Sequence, residues 1–386
     1  MKKTYTFLIL AAVMLFLKSC SGERYDISEE YSRKAYTPSE ALGFTISSPK
    51  EDSDRSLLIN VTRAWQGEDS MAAPRRLLLL RDGAAAPREF RGQCLRDSAE
   101  RIVVMSSSHI AMLDAIGATD KIVGVSGTDY ISNSSLQARR SSLADVGYEG
   151  NVDYEALVGA HPDLVLLYGL NGASPMEKRL EQLGIPYIYI GDYTEQSPTG
   201  KAEWVVVLAE ITGRGQLGRE CFRLIKERYD SVASNSVQAK GRRPRVMLNT
   251  PYSDTWFMPP ADSYAVRLIE DAGGEYVYTQ NKSGASVPVD IEEAYILASG
   301  ADIWINTGTA STAGELLRQC PKFADVPAVR SGRVYNNTLR VNAAGGNDYW
   351  ESGVMQPDLI LSDLIKIFSE TPPDSIEGLN YYQRVK

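Results

Sequence analysis

Apolar and polar residues follow one another in the same order twice along this chain. Each copy begins with an apolar run that leads through a helical pattern into a glycine-containing turn. In the unit that follows, an aspartate precedes a short helical pattern and a second aspartate precedes a β-rich apolar run. The copies occupy residues 101–118 with 152–167, and 245–274 with 289–305. Units so long and so few do not form a solenoid, so they predict two similar α/β lobes with a ligand-binding cleft between them; chance similarity is the alternative.

Strand-like and helix-like patterns alternate through the first copy. The strand patterns lie at 102–105, 122–125, 164–167 and 187–190. This alternation predicts βαβ units and a parallel sheet. The loop Ser106-Ser-Ser-His109 follows the first strand, at the edge where open α/β sheets bind ligands. Its hydroxyls and backbone N–H groups suit an anion at a helix N-terminus, but simple N-capping explains the serines equally well.

Two helical patterns separate the copies, at 203–211 and 216–237. Because a helix of about 20 residues spans about 30 Å and resists bending, we expect a rigid helical connection. The predicted fold is α/β, with two βαβ (Rossmann-like) lobes joined by a long backbone helix and preceded by a small N-terminal β extension. The expected divisions are a signal peptide at 1–19, a tether and β-rich extension at 20–98, the first lobe at 99–199, the backbone helical region at 200–240 and the second lobe at 241–386.

The segment before the first lobe has patterns of its own. Lys2 and Lys3 precede an apolar stretch at 5–17 that is too short to span a membrane comfortably, which is typical of a signal peptide. The sequence Leu17-Lys-Ser-Cys20 resembles a bacterial lipobox and predicts lipid attachment at Cys20; secretion with a chance cysteine is the alternative. The mature protein is then expected in the cell envelope, lipid-anchored on the periplasmic side. A polar tether is expected at 22–39, and short strands at 44–47, 57–61 and 76–81.

Composition narrows the function. The net charge of −8, with no basic patch in the sequence, argues against a nucleic-acid partner. The chain has two histidines, His109 and His161, and no Gly-x-Ser-x-Gly motif, which argues against a hydrolase and against a site for free zinc or manganese. We therefore expect no enzyme activity, no cofactor and no metal site. The cysteines other than Cys20 show no metal-site spacing, and a Cys94–Cys320 disulfide is left open.

Several motifs resemble one known family. They are 101–107, 113–117, 155–166 with its Pro162-Asp-Leu-Val165 core, and the duplicate of this set in the second copy. Together with the lipobox they are similar to the substrate-binding lipoproteins of ABC importers with a helical backbone (class III), whose members bind cobalamin, ferric siderophores or haem. The motifs Ser197-Pro-Thr-Gly-Lys-Ala-Glu-Trp204 and Gly345-Gly-Asn-Asp-Tyr-Trp-Glu-Ser-Gly353 resemble a branch of that family found in Bacteroidota. The resemblance covers about residues 98–370.

The resemblance implies a mechanism. A monomer would clamp one chelate between its lobes and deliver it to an ABC permease with its ATPase; a ferric siderophore is expected first, with a corrinoid (cobalamin) or haem as alternatives. Glu155 and Glu292 match the permease-docking glutamates of the family, and Glu293 is a competing register for the second. Exposed carboxylates on both lobes suit paired arginines, although both also favour the first turn of a helix. A sensory or interaction role at the cell surface without transport is the alternative of another class.

Candidate ligand contacts lie in loops at the predicted strand ends. Aromatic side chains suit a ring-rich ligand, since stacking contributes about 0.5–1.5 kcal/mol per ring beyond burial, and Arg340 favours an anionic chelate. His109 has the chemistry of a metal ligand, but a helix-capping or supporting role is expected. The segment Tyr252-Ser-Asp-Thr-Trp256 directly follows a strand and is expected to face the cleft. The candidates are Ser107, His109, Tyr130, Tyr168 and Tyr193 from the first lobe, and Tyr252, Trp256, Asn306, Arg340, Asp348 and Trp350 from the second.

Overall fold

A five-stranded sheet forms the N-terminal part of the computed structural model, which describes residues 26–51, 54–67, 74–170, 172–236, 242–369 and 371–386. Its strands, in spatial order, are β1 Arg33–Tyr36, β2 Phe44–Ser48, β3 Leu57–Val61, β4 Arg75–Leu80 and β5 Gln93–Arg96. All neighbours pair antiparallel except β4 and β5, which are parallel. The strands expected at 44–47, 57–61 and 76–81 are confirmed. The tether expected at 22–39 is wrong in its described part, because Ile27 and Tyr31 are buried in an apolar cluster with Leu58, Leu78 and Leu80.

A five-stranded parallel sheet forms the core of the first lobe, as expected. In spatial order its strands are β12 Tyr187–Tyr189, β11 Leu164–Leu167, β6 Ile102–Val104, β7 Ile122–Val125 and β8 Ala144–Asp145. An antiparallel pair, β9 Gly147–Tyr148 and β10 Asn151–Val152, follows β8. The helices are α1 Ser107–Ala115, α2 Ser134–Ala138, α3 Tyr154–Gly159 and α4 Met176–Leu183, with 3-10 turns at Ile27–Glu29, Thr119–Lys121, Thr128–Tyr130, Arg140–Ser142 and Asp192–Thr194. The central strands β6 and β11 are apolar throughout and fully buried, as in parallel sheets covered on both faces.

Three helices follow the first lobe and lead into a second lobe of similar design. They are α5 Pro198–Glu203, α6 Val205–Ile211 and α7 Gly215–Ser236. The second sheet contains, in spatial order, β15 Glu275–Tyr276, β13 Arg245–Leu248, β17 Ile303–Ile305, β18 Val334–Asn336 and β19 Gln383–Arg384, of which β19 is antiparallel to its neighbour. A separate antiparallel pair consists of β14 Thr255–Met258 and β16 Val287–Asp290. The remaining elements are α8 Tyr264–Asp271, α9 Ile291–Ser299, α10 Ala313–Gln319, α11 Pro327–Arg330 and α12 Pro357–Phe368, with 3-10 turns at Pro321–Phe323, Ser352–Met355 and Pro373–Ser375.

The helices between the lobes contact both of them. The α6 helix is buried along its whole length and packs on α7. The α7 helix also packs against α12 of the second lobe. Helices are thus present where the patterns at 203–211 and 216–237 predicted them, with a break at Trp204 between α5 and α6.

The duplicated sequence units occupy equivalent places in the two lobes. Neighbouring parallel strands arise from each copy, β6 with β11 in the first lobe and β13 with β17 in the second. The helix after each aspartate is capped in the same way: Asp153 accepts the N–H of Ala156 at 2.9 Å, and Asp290 accepts the N–H of Glu293 at 2.8 Å. These matches confirm the expected α/β fold with two similar lobes.

Two buried glutamates fasten the N-terminal sheet to the rest of the protein. Glu203 is fully buried and accepts the backbone N–H groups of residues 39–41 at 2.7–2.8 Å. The Tyr36 hydroxyl donates to the same carboxylate at 2.6 Å. Glu195 is 3% exposed and accepts the N–H groups of residues 42–43 at 2.8 and 3.0 Å. We call Glu195 and Glu203 the carboxylate socket, because together they bind the continuous stretch of backbone from residue 39 to residue 43.

The described ranges contain no helix that is both long enough and apolar enough to cross a membrane. Cys94, Cys221 and Cys320 are free thiols. The disulfide between Cys94 and Cys320 that the sequence left open is therefore not formed.

Candidate functional site

A cleft of about 730 Å³ lies between the lobes. Its first-lobe side is formed by residues between Asp129 and Arg140, and its second-lobe side by residues 340–348. Arg140 pairs with Asp129, and the Arg340 Nη1 atom lies 3.3 Å from a carboxylate oxygen of Asp348. Each guanidinium therefore already pairs with a carboxylate of its own lobe. The volume falls within the range of about 300–1,000 Å³ that is usual for small-molecule sites.

The structure places two of the candidate residues in the lining of this cleft and three others on segments beside it. Arg340 and Asp348 line it directly, and Tyr130 belongs to the first-lobe segment that forms one wall. The Ser107 hydroxyl donates to the backbone oxygen of Trp350 at 3.5 Å, which places the end of β6 against the second-lobe wall. The rings of Tyr130 and Trp350 are 58% and 45% exposed, so both have surface to offer a ligand.

Tyr168 and Tyr193 form a second group at the carboxyl edge of the first sheet. The Tyr193 hydroxyl donates to the backbone oxygen of Leu170 at 2.6 Å and accepts the N–H of Gln66 at 3.3 Å. Burial raises the pKa of Tyr193 to about 12, and burial, with a smaller effect from the Glu149 charge, raises the pKa of Tyr168. Both hydroxyls are therefore neutral near pH 7, and the contact with Gln66 makes the N-terminal sheet part of their support.

His109 is wrong as a ligand contact, because it does not face the cleft. It follows the strand end as predicted, but α1 has already begun at Ser107 and turns its ring into the core, where it is fully buried. Burial lowers its pKa to about 4, although the Asp192 carboxylate 3.9 Å away acts in the opposite direction. The ring is therefore neutral, and neither of its nitrogens has a hydrogen-bond partner among the described residues.

Trp256 is likewise wrong as a cleft residue. Thr255–Met258 is a strand paired with β16, so alternate side chains point to opposite faces. Trp256 turns inward and is fully buried, with its Nε1–H donating to the Leu248 backbone oxygen at 2.9 Å. Its ring packs against Trp304 and Phe323, with centroid distances of 5.6 and 5.4 Å.

The other two second-lobe candidates lie at strand ends but do not line the cleft. Tyr252 is 79% exposed in the turn between β13 and β14. Asn306 follows β17 with a φ of 59°, and its side-chain oxygen accepts the hydroxyl of Tyr382 at 2.8 Å. Asn306 is thus engaged in holding the second lobe together, while Tyr252 is available at the surface.

Two features of the site region escaped sequence reasoning. Tyr148 is 64% exposed at the carboxyl edge of the first sheet, just beyond Asp145, whose carboxylate binds the Thr128 backbone N–H at 2.8 Å. The sequence feature that could have indicated an exposed Tyr148 is the preceding Gly147, where the chain turns with a φ of 69°. The second is a buried ion pair beside His109, in which the Lys201 Nζ lies 3.6 Å from Asp192.

The predicted docking glutamates lie in equivalent first turns. Glu155 is in the first turn of α3 and Glu292 in that of α9, and both are exposed. The Glu292 carboxylate lies 3.4 Å from the Lys322 ammonium, with both side chains largely in solvent. Glu293 is exposed as well, so the competing register stays open. The predicted lipid attachment site, Cys20, lies outside the described residues.

Metal ligation has no candidate cluster in the ranges that the structure covers. No group of three or more His, Cys, Asp or Glu side chains there could hold a metal ion. The cleft is lined instead by paired ions, a serine hydroxyl, side-chain amides and small apolar side chains.

Two similar α/β lobes, helices packed on both and a cleft between them define a substrate-binding protein of the two-lobe class. Residues 102–338, more than half of the chain, match the family described as periplasmic binding protein, and the chain belongs to this family. Members of this family bind solutes and are not enzymes.

Similar proteins of known structure or sequence agree with this assignment. A periplasmic haem-binding protein from Pseudomonas aeruginosa superposes with a TM-score of 0.56 and 18% identity, covering 75% of this chain and 98% of that one. A siderophore-binding protein from Vibrio cholerae, solved with Fe3+-Desferal, gives 0.50 and 19%, covering 70% and 100%. An uncharacterized lipoprotein of Methanocaldococcus jannaschii is 22% identical over 289 residues, which are 72% of this chain and 66% of the relative.

Proposed function

We propose that this protein is a lipid-anchored, extracytoplasmic substrate-binding protein of an ABC importer that captures a ferric siderophore between its lobes. The observation that carries the proposal is the inter-lobe cleft of about 730 Å³, which two guanidinium groups line and beside which the rings of Tyr130 and Trp350 are exposed. Because both guanidinium groups already face carboxylates, a strongly anionic chelate would have to separate an ion pair. A chelate of low net charge therefore fits best. A corrinoid or haem bound in the same way is the alternative.

Delivery follows from the exposed surfaces of the two lobes. Glu155 and Glu292 lie in matching first turns, one on each lobe, where they could meet arginines of a permease that works with its ATPase. Lipid attachment at Cys20 would keep the protein in the cell envelope on the periplasmic side. The proposed unit is a monomer, since one cleft between two lobes of one chain is sufficient to bind one ligand.

Ligand titration tests the proposed substrate. The purified protein should show saturable quenching of its five tryptophans with a ferric siderophore, at one ligand per chain. The panel should contain a neutral hydroxamate chelate, an anionic catecholate chelate, cobalamin and haem. Saturation by cobalamin or haem alone would replace the siderophore with that ligand, and failure of every compound to bind would refute the proposed class of ligand.

The cleft assignment makes a prediction for two tryptophans. Trp350→Ala should weaken ligand binding by about 1–3 kcal/mol, because the ring is exposed beside the cleft, two residues from Asp348, where it can act as an anchor. Trp256→Phe is the matched control: its ring is buried in the second lobe, so affinity should be unchanged. Isothermal titration of both variants checks this. Equal affinities for Trp350→Ala and the parent protein would remove Trp350 from the site.

A further inference from the structure

A segment of the second lobe is bonded to a loop of the first lobe beside the cleft. The Glu351 carboxylate accepts the backbone N–H of Ser132 at 2.8 Å and that of Asn133 at 2.6 Å. The Asn342 amide donates to the backbone oxygens of Asp129 at 3.0 Å and Ile131 at 3.2 Å. We call residues 342–351 the strap. Four hydrogen bonds thus cross between the lobes within a few residues of the cleft.

The strap is shaped for this close contact. The Asn342 side-chain oxygen accepts the N–H groups of Ala344 and Gly346 at 3.0 and 2.8 Å, which folds the strap into a tight turn. At Gly346 an added Cβ would lie 2.0 Å from the Tyr130 backbone oxygen. Only glycine lets the two backbones approach this closely. Because Tyr130 lies between Asp129 and Ile131, which line the cleft, the contact fixes the position of this cleft loop.

The environment of Glu351 is unusual for a carboxylate. Its side chain is 2% exposed and borders a cavity of about 260 Å³ that Asp114, Asp348, Cys221 and Arg228 also line. Burial raises the pKa of Glu351 to about 7; the two backbone N–H groups act against this, and the charges of Asp348 and Asp114 add to it. The carboxyl group therefore changes its charge near neutral pH.

We propose that Glu351 is a positioning residue that holds the second-lobe side of the cleft in a fixed position against the first-lobe loop at residues 129–133. Through the strap, residues 129–133 of the first lobe and the second-lobe segment that carries Arg340 are fastened together along one edge of the cleft, and this edge does not separate when the rest of the cleft opens. The ligand then meets a preformed edge. The inference rests on the proposed function where it assigns this edge to a ligand, but the strap itself can be tested without one.

The strap should respond to pH. The pKa of Glu351 is raised in the strapped state relative to an ordinary exposed carboxyl group. A group whose pKa is higher in the strapped state than in the open state favours the strapped state when it is protonated. For Glu351 this stabilisation is fully present below the pKa of an ordinary exposed carboxyl group, and it is lost as the pH rises through about 7. Opening of the strap should therefore increase from mildly acid to mildly alkaline pH.

Amide hydrogen exchange of the full chain without ligand tests this. Between about pH 5.5 and about pH 8.5, after correction for intrinsic exchange, the protection factors of Ser132 and Asn133 should fall by about tenfold or more. Glu351→Gln cannot titrate and should abolish that change. Asn342→Ala should reduce protection at both pH values but keep the change, because Glu351 is intact. Glu275→Gln, an exposed carboxylate on the second lobe, should behave like the parent protein.

The outcomes separate the strap from the ligand proposal. Protection of both amides that changes with pH in the parent protein but not in Glu351→Gln supports the strap. Rapid exchange of both amides in the parent protein, or the same pH change in Glu351→Gln, overturns it. Where a chelate binds, Glu351→Gln should also alter the pH profile of its dissociation constant, and an unaltered profile overturns the positioning role. If no ligand binds, the proposed function fails while the exchange result still decides whether the strap exists.

Discussion

Replacing Glu203 with alanine should lower the free energy of unfolding by about 3–5 kcal/mol, because several charge-assisted hydrogen bonds are lost together. The fully buried carboxylate accepts the three backbone N–H groups of residues 39–41 and the hydroxyl of Tyr36. Without it, these donors are left in the interior with no acceptor, and the N-terminal sheet loses one half of the carboxylate socket. Chemical denaturation followed by circular dichroism measures the loss.

One control variant and one further measurement make this prediction specific. Glu270→Ala removes an exposed helical glutamate and should change stability by less than about 0.5 kcal/mol. Limited proteolysis should cut the Glu203→Ala variant earlier within residues 26–50, because the socket holds the backbone of residues 39–43. A loss below about 1 kcal/mol, with proteolysis unchanged, would show that water or other groups replace the carboxylate.

Reversing both Glu155 and Glu292 to lysine should abolish uptake through the cognate permease while leaving ligand affinity almost unchanged. Two attractive contacts would become repulsive, and like charges brought together at an interface cost several kcal/mol. Both side chains are exposed in first turns, so each reversal should cost the fold only about 0.3–1 kcal/mol through the helix dipole. Each single reversal should give a partial defect, since the other lobe still docks.

Transport of the labelled ligand into cells or proteoliposomes checks this, with Glu270→Lys as a control for added positive charge. Glu293→Lys decides the register: a defect there with normal uptake in Glu292→Lys would move the second contact by one residue. Normal uptake by a folded double mutant would leave both carboxylates with a role only in starting their helices.

Local patterns were sufficient to predict the fold. The duplicated apolar runs became β6 and β11 in one lobe and β13 and β17 in the other, because a fully apolar run suits a parallel strand covered on both faces. Asp153 and Asp290 were recognisable as helix caps because a capping bond spans only three residues. These features depend on near neighbours in the chain, which a single sequence displays.

The candidate site was harder to predict because its side chains are oriented by distant partners. Trp256 turns inward because its strand pairs with β16, about thirty residues later, and that pairing decides which face is buried. Glu203 looked like an ordinary helical residue, yet its partners lie more than 160 positions earlier. Glu351 belonged to a recognised motif, but its bonds to residues 132–133 depend on how the lobes meet. Arg340 and Asp348 were found because both lie in loops after a strand.

With a lipid on Cys20, as proposed, the early start of the folded chain would limit how far this protein can move from a membrane. Ile27 is already buried, and Asp26 pairs with Arg76 at 3.1 Å, so only about six residues separate Cys20 from a fixed point on the N-terminal sheet. A segment of six residues spans at most about 20–22 Å when fully extended. The loaded protein would then search for its permease within a thin layer above the bilayer, which raises their effective concentration and favours a few orientations of the lobes.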